Sequence, residues 1–125
     1  FFMNKLSSLF ILLLFLVSCK KLETEPPVVT IFSPTATDSF YVADSVRVNF
    51  SISDKNLTSY KIIIYNFYNR KIYLKEESAV SDNSITIDKK LFFSVNADTT
   101  AYLNILGIDK NGNTGGAGVK FKIKK

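Results

Sequence analysis

The stretch Val46-Arg47-Val48-Asn49-Phe50-Ser51-Ile52-Ser53 sets Val46, Val48, Phe50 and Ile52 against Arg47, Asn49, Ser51 and Ser53. Successive side chains of a strand point to opposite faces of a sheet, so this two-residue period describes a strand with one buried face and one wetted face. Val28 to Phe32 precedes it, and Tyr60 to Phe67 follows, with Ile62, Ile63 and Ile64 making its centre apolar enough for a central strand. Arg70 to Lys75 and Ser84 to Ile87 add two shorter strands, the second with Leu91 to Val95 as a continuation. Ala101 to Ile108 and Val119 to Ile123 complete seven. Ser33-Pro34-Thr35, Ser53-Asp54-Lys55-Asn56 and Asp109-Lys110-Asn111-Gly112-Asn113 supply the turns between them. The expected fold is all-β, an antiparallel two-sheet sandwich over residues 28–125.

In order and spacing, P-V-V-T-I-F-S-P from Pro27, S-V-R-V-N-F-S-I-S-D-K-N-L-T-S-Y-K-I-I-I from Ser45 and L-N-I-L-G-I-D-K-N-G-N from Leu103 resemble known modules. They are the small immunoglobulin-like and fibronectin-type-III-like domains of Bacteroidota lipoproteins, some of them domains of unknown function. In such modules the penultimate strand ends with a small residue two before an aspartate and then a Gly-Asn turn, the pattern of Gly107, Asp109, Gly112 and Asn113. The resemblance implies an immunoglobulin-like sandwich. A fibronectin-type module often carries a corner tyrosine six residues before the small position. Here that place is Ala101, and Tyr102 lies one residue along, which reverses its face.

Upstream, Lys5 is followed by the apolar run Leu9 to Val17 and then Ser18-Cys19, the layout of a secretory signal. As a helix, the nine residues of that run would span about 14 Å, roughly half of a ~30 Å hydrocarbon core, too short for a transmembrane anchor. Leu16-Val17-Ser18-Cys19 resembles the lipobox of bacterial lipoproteins, whose cysteine sulfur receives a diacylglyceryl group before cleavage on its amino side. The resemblance implies a signal peptide over 1–18 starting at Met3, lipidation of Cys19, and a polar tether over 19–27 closed by Pro26-Pro27. Position 20 is Lys rather than the aspartate that retains enterobacterial lipoproteins at the inner membrane, which favours the outer membrane. Glu23 and Glu25 resemble the acidic export tag of Bacteroidota surface lipoproteins. The periplasmic and cell-surface faces both stay open.

The chain has 16 Lys+Arg and 11 Asp+Glu, and without Lys5 the excess is modest and dispersed, with no basic arm for nucleic acid. Its single cysteine leaves no intrachain disulfide, so a monomeric domain must be stabilised by apolar burial. There is no histidine, and lipidation consumes the thiol, so no Cys/His or Ser/His nucleophile pair exists. Glu76 and Glu77 are adjacent and would point to opposite faces, and most aspartates sit beside turn residues. These features give the expectation that the chain is not an enzyme and carries no cofactor.

Asp109-Lys110-Asn111-Gly112-Asn113 presents oxygens at alternate positions, as a calcium loop begins. Counted from Asp109, however, the sixth residue is Thr114 and the twelfth Lys120, where an EF-hand needs Gly and Glu. Asn-Gly also suits a hairpin turn, so no metal is expected; the alternative is a partial calcium site joining Asp54 to Asp109, Asn111 and Asn113.

Two surfaces stand out. Lys120, Lys122 and Lys124 alternate with Phe121 and Ile123 on the last strand, where they either guard an edge or attract anionic lipopolysaccharide or polysaccharide. Tyr65, Phe67, Tyr68, Arg70 and Tyr73 mix rings with a guanidinium near a hairpin, a composition suited to a glycan, peptide or protein partner. Asp44-Ser45-Val46 and Asp98-Thr99-Thr100 resemble the Bacteroidota O-glycosylation triplet, which marks Ser45 and Thr99, the latter in an expected loop. The expected function is a lipid-anchored envelope module that binds a partner. The alternative is a structural envelope lipoprotein without a specific small ligand. Exposure of the ring cluster favours the first and its burial the second.

Overall fold

A computed structural model describes residues 24–41, 43 and 45–125; Cys19, the lipobox and Asp44 lie outside the described residues. The strands are β1 (Val28–Ser33), β2 (Ser39–Tyr41), β3 (Val46–Ser53), β4 (Leu57–Asn66), β5 (Ile72–Ala79), β6 (Ser84–Leu91), β7 (Thr99–Asp109) and β8 (Thr114–Lys124). They form a three-stranded sheet in the order β1-β3-β6 and a five-stranded sheet in the order β2-β8-β7-β4-β5. The two-sheet sandwich expected from the alternating pattern, immunoglobulin-like as the resemblance implies, is therefore present, and among the described residues it has eight strands rather than seven.

The period-two residues of β3 do what their pattern requires. Val46, Val48, Phe50 and Ile52 are fully buried, facing Ile62 and Ile64 of β4 and Leu103 and Ile105 of β7 across a single core. Phe50 meets Tyr60 of the opposite sheet edge-on, with ring centroids 5.6 Å apart. Between the open margins of the two sheets, the Lys89 ammonium on β6 donates to the Glu76 carboxylate on β5 at 2.6 Å.

The additional strand, β2, is three residues long, too short to carry a period. Tertiary contacts hold it: Phe40 sets its ring at 5.7 Å and 87° to Phe121, and the Lys122 N–H donates to the Asp38 carbonyl just before it. β2 runs parallel to β8, pairing Ser39 to Tyr41 with Lys122 to Lys124, whereas every other ladder is antiparallel. β8 is thus an interior strand, which corrects the edge-guarding reading of its lysines. The edges are β2 and β5 in one sheet and β1 and β6 in the other.

Several boundaries also differ from expectation: β4 starts at Leu57 rather than Tyr60, and β5 runs from Ile72 to Ala79 rather than from Arg70 to Lys75. β6 runs unbroken to Leu91, after which the chain to Asp98 is irregular instead of a strand to Val95, although Phe93 and Val95 still pack on the core. β8 starts at Thr114 rather than Val119 and takes in Gly115, Gly116 and Gly118. Glycine weakens a strand by its freedom and its missing side chain, but here neighbours fill the space. A Cβ would meet Pro27 at Gly115, Leu106 at Gly116 and Tyr102 at Gly118.

Candidate binding surface

The outward-pointing residues of β4 and β7 place Ile63, Tyr65, Tyr102, Leu106 and Ile108 half-buried on the solvent side of the five-stranded sheet. Register puts Tyr65 directly opposite Tyr102 and Tyr102 opposite Lys120. The Tyr65 and Tyr102 rings lie 5.3 Å apart at 33°, and Phe67 extends the row with its centroid 6.3 Å from Tyr102. Tyr68 stands edge-on to Phe67 at 5.5 Å and is 74% exposed. Cations flank the row. The Arg70 guanidinium lies 5.4 Å from the Tyr65 ring and donates to its hydroxyl at 3.2 Å, and the Lys120 ammonium sits 5.2 Å from the Phe67 ring.

Of the residues singled out in the sequence, Tyr65, Phe67, Tyr68 and Arg70 come together, and Tyr73 does not. A bulge between Ile64 and Tyr65 sets Tyr65 opposite Ile72 and Ile64 opposite Leu74, leaving Tyr73 as the extra residue. Its ring packs toward the core and stacks on Phe93 at 5.6 Å and 12°. Tyr102 takes its place in the cluster. The signal for this was the single step that separates Tyr102 from the corner position, with Gly118 as its complement. The ring lies across β8 where a Cβ at Gly118 would stand.

Asn66 organises the turn that carries these rings. Its side-chain amide donates to the Tyr73 hydroxyl at 2.9 Å and the Thr99 Oγ1 at 3.1 Å, while its Oδ1 accepts from the backbone N–H groups of Tyr68 at 2.9 Å and Asn69 at 3.1 Å. Arg70 closes the turn in the left-handed region at φ 65°. On the far side of the turn from the rings lies a polar cleft of about 290 Å³, lined by Asn66, Asn69, Lys71, Asn96, Asp98 and Thr99 among others. Thr99 is the first residue of β7, not part of a loop, and its hydroxyl is already engaged by Asn66. Ser45 lies just before β3, 8% exposed, with φ at 75°.

At the opposite end, Asp109 is 3% exposed and its carboxylate is taken up by its own turn. Oδ1 accepts from the N–H groups of Asn111 at 2.9 Å and Asn113 at 2.8 Å, and Oδ2 accepts from the Asn113 side chain at 2.9 Å. The Asp54 carboxylate accepts from the Asn56 N–H at 2.9 Å. Both Asp109 oxygens are committed to backbone and amide donors, and among the described residues no cluster of three or more His, Cys, Asp or Glu is placed to hold a metal. Burial raises the Asp109 pKa, but the donors from Asn113, Asn111 and Gly112 more than offset it and hold the carboxyl below its ordinary range.

The Asp109 pKa is depressed on folding, so its contribution is complete above the unfolded value of about 3.9 and is lost as pH falls through the folded value. Denaturant midpoints should therefore fall on acidification below about pH 4. In Asp109→Asn the decline should be shallower, the remainder including Asp88, which Arg47 holds low. Equal slopes for the two proteins would refute this role.

No family model and no curated protein matches the chain. Among solved structures it is similar to the superoxide reductase (neelaredoxin) from Ignicoccus hospitalis, with 9% identity and a TM-score of 0.47 over 80% of this chain and 81% of that one. That neighbour is an enzyme, and the expectation that this chain is not one is corrected accordingly. Lack of histidine removes particular nucleophile pairs, not catalysis as a class. At this TM-score the likeness carries no argument for an activity of this chain either.

Proposed function

We propose that this protein is a lipid-anchored outer-membrane module that binds carbohydrate at the β4–β5 end of its five-stranded sheet. The observation that carries the reading is the row Tyr65, Tyr102, Phe67 and Tyr68, half-buried to exposed, with no described residue covering Tyr68. Rings in this setting stack on the apolar faces of sugars, and the exposed amides across the turn at Asn69 and Asn96 suit their hydroxyls. The tether to the membrane rests on Leu16-Val17-Ser18-Cys19.

Two experiments test the two halves. The full chain, purified in detergent, is run through polyacrylamide containing neutral and acidic polysaccharides. At least one should retard it, and Phe67→Ala should weaken that binding roughly tenfold, ~1.4 kcal/mol. No retardation by any of them would leave the structural envelope reading in its place. Cys19→Ala should move the protein from the membrane to the soluble fraction; continued membrane fractionation would overturn the anchor.

A further inference from the structure

Beside the ring row, a pocket of about 230 Å³ opens between the β4–β5 turn and the ends of β7 and β8, lined by Ala36, Phe67, Tyr68, Thr100, Lys120 and Lys122. We infer that this pocket receives a uronic-acid unit of the bound polysaccharide, its ring against Phe67 and Tyr68 and its carboxylate between Lys120 and Lys122. The inference rests on the carbohydrate reading above and adds the charge class of the sugar.

Size sets the first limit. The pocket is below the ~300–1,000 Å³ of drug-sized sites, so it takes about one sugar ring, not a chain segment. Charge sets the second. Lys120 and Lys122 are two residues apart on β8 and share its outer face, opposite Tyr102 and Thr100. No carboxylate lines the pocket. Among the described residues the two ion pairs are Arg47–Asp88 and Lys89–Glu76, and neither involves these lysines. Asp38 lies nearby through its carbonyl, but its carboxylate accepts from the Thr35 N–H at 2.7 Å.

The polar cleft across the turn contrasts with this, since amides, hydroxyls and both signs of charge, Lys71 and Asp98, line it. A glycan crossing the turn therefore meets neutral hydroxyl recognition on one side and two ammonium groups on the other. Two ammonium point charges suit a carboxylate, and no Arg fork lines this pocket to clamp an anion in a bidentate way.

The test titrates the full chain in detergent with polygalacturonate, alginate and hyaluronan, each beside its methyl-esterified form, and with dextran sulfate. At least one uronate polymer should bind about tenfold or more tightly than its ester, with a preference that shrinks as salt rises. The double variant Lys120→Gln/Lys122→Gln should abolish the preference for that polymer over its ester. Both lysines are exposed, and unchanged thermal unfolding confirms that the variant is folded. Equal binding of acid and ester, or dextran sulfate binding as tightly as the uronate, would overturn the uronic-acid assignment and leave the carbohydrate reading standing. Binding of esters alone would do the same. Binding of none of these, together with no retardation by any neutral polysaccharide, would remove both.

Discussion

Phe50→Ala is expected to lower the unfolding free energy by about 3–5 kcal/mol. Phe50 is fully buried on β3, flanked in register by Ile31 of β1 and Ile87 of β6, and its ring reaches across the core to Tyr60 of β4. Truncation removes the transfer free energy of the ring and leaves a hole between two sheets whose backbones are fixed by their ladders, so little collapse can fill it. Domains of this size are stable by only ~5–15 kcal/mol, and one cysteine leaves this chain no intrachain disulfide to offset the loss. Urea unfolding should show a lower midpoint with an unchanged slope, and Phe50→Leu should cost less than about 1.5 kcal/mol. A cost below ~1 kcal/mol for the alanine would mean that the ring does not bridge the sheets.

Gly115→Val should be the second largest effect, about 2–3 kcal/mol, from overpacking rather than from a cavity. Gly107 on β7 and Gly115 on β8 face each other in register, and Pro27 is buried against both. A Cβ at Gly107 would stand 2.9 Å from the Pro27 Cβ and 2.9 Å from Ile52 Cγ2. At Gly115 the obstacle is the Pro27 backbone itself, which no rotamer change relieves. The start of β1 must therefore lift from the end of the sandwich. Amide exchange at Val29 to Ile31 should accelerate more than exchange at Leu103 to Ile105, because the damage begins at β1 and not in the central ladder. Uniform acceleration along both strands would contradict this account.

Gly115 also shows where reading from the sequence stops. Gly115, Gly116 and Gly118, broken only by Ala117, read as turn when propensity alone is weighed. The strand exists because β7 offers an unbroken ladder from Thr99 to Ile108 and because Pro27, Leu106 and Tyr102 fill the space that side chains would take. The bulge that turns Tyr73 inward is equally illegible. Nothing in Lys71-Ile72-Tyr73 marks an extra residue, and one step reverses a ring from solvent to core. Four of the five residues proposed for the surface nevertheless share it: Tyr65 alternates outward from the buried Ile62 and Ile64 on β4, and the short turn after Asn66 carries Phe67, Tyr68 and Arg70.

By itself the sequence determined the class of fold, the inward face of β3, the apolar centre of β4 and the Asp109 turn. Each follows from local rules: a period of two, an apolar centre, and a side chain that bonds its own backbone within a few residues. Only the tertiary structure decided that β8 lies inside its sheet, that β2 pairs with it in parallel, and that Tyr102 joins Tyr65 and Phe67 beside Lys120 and Lys122. Those placements depend on which strands become neighbours and in what register, which is settled by contacts between residues far apart in the chain.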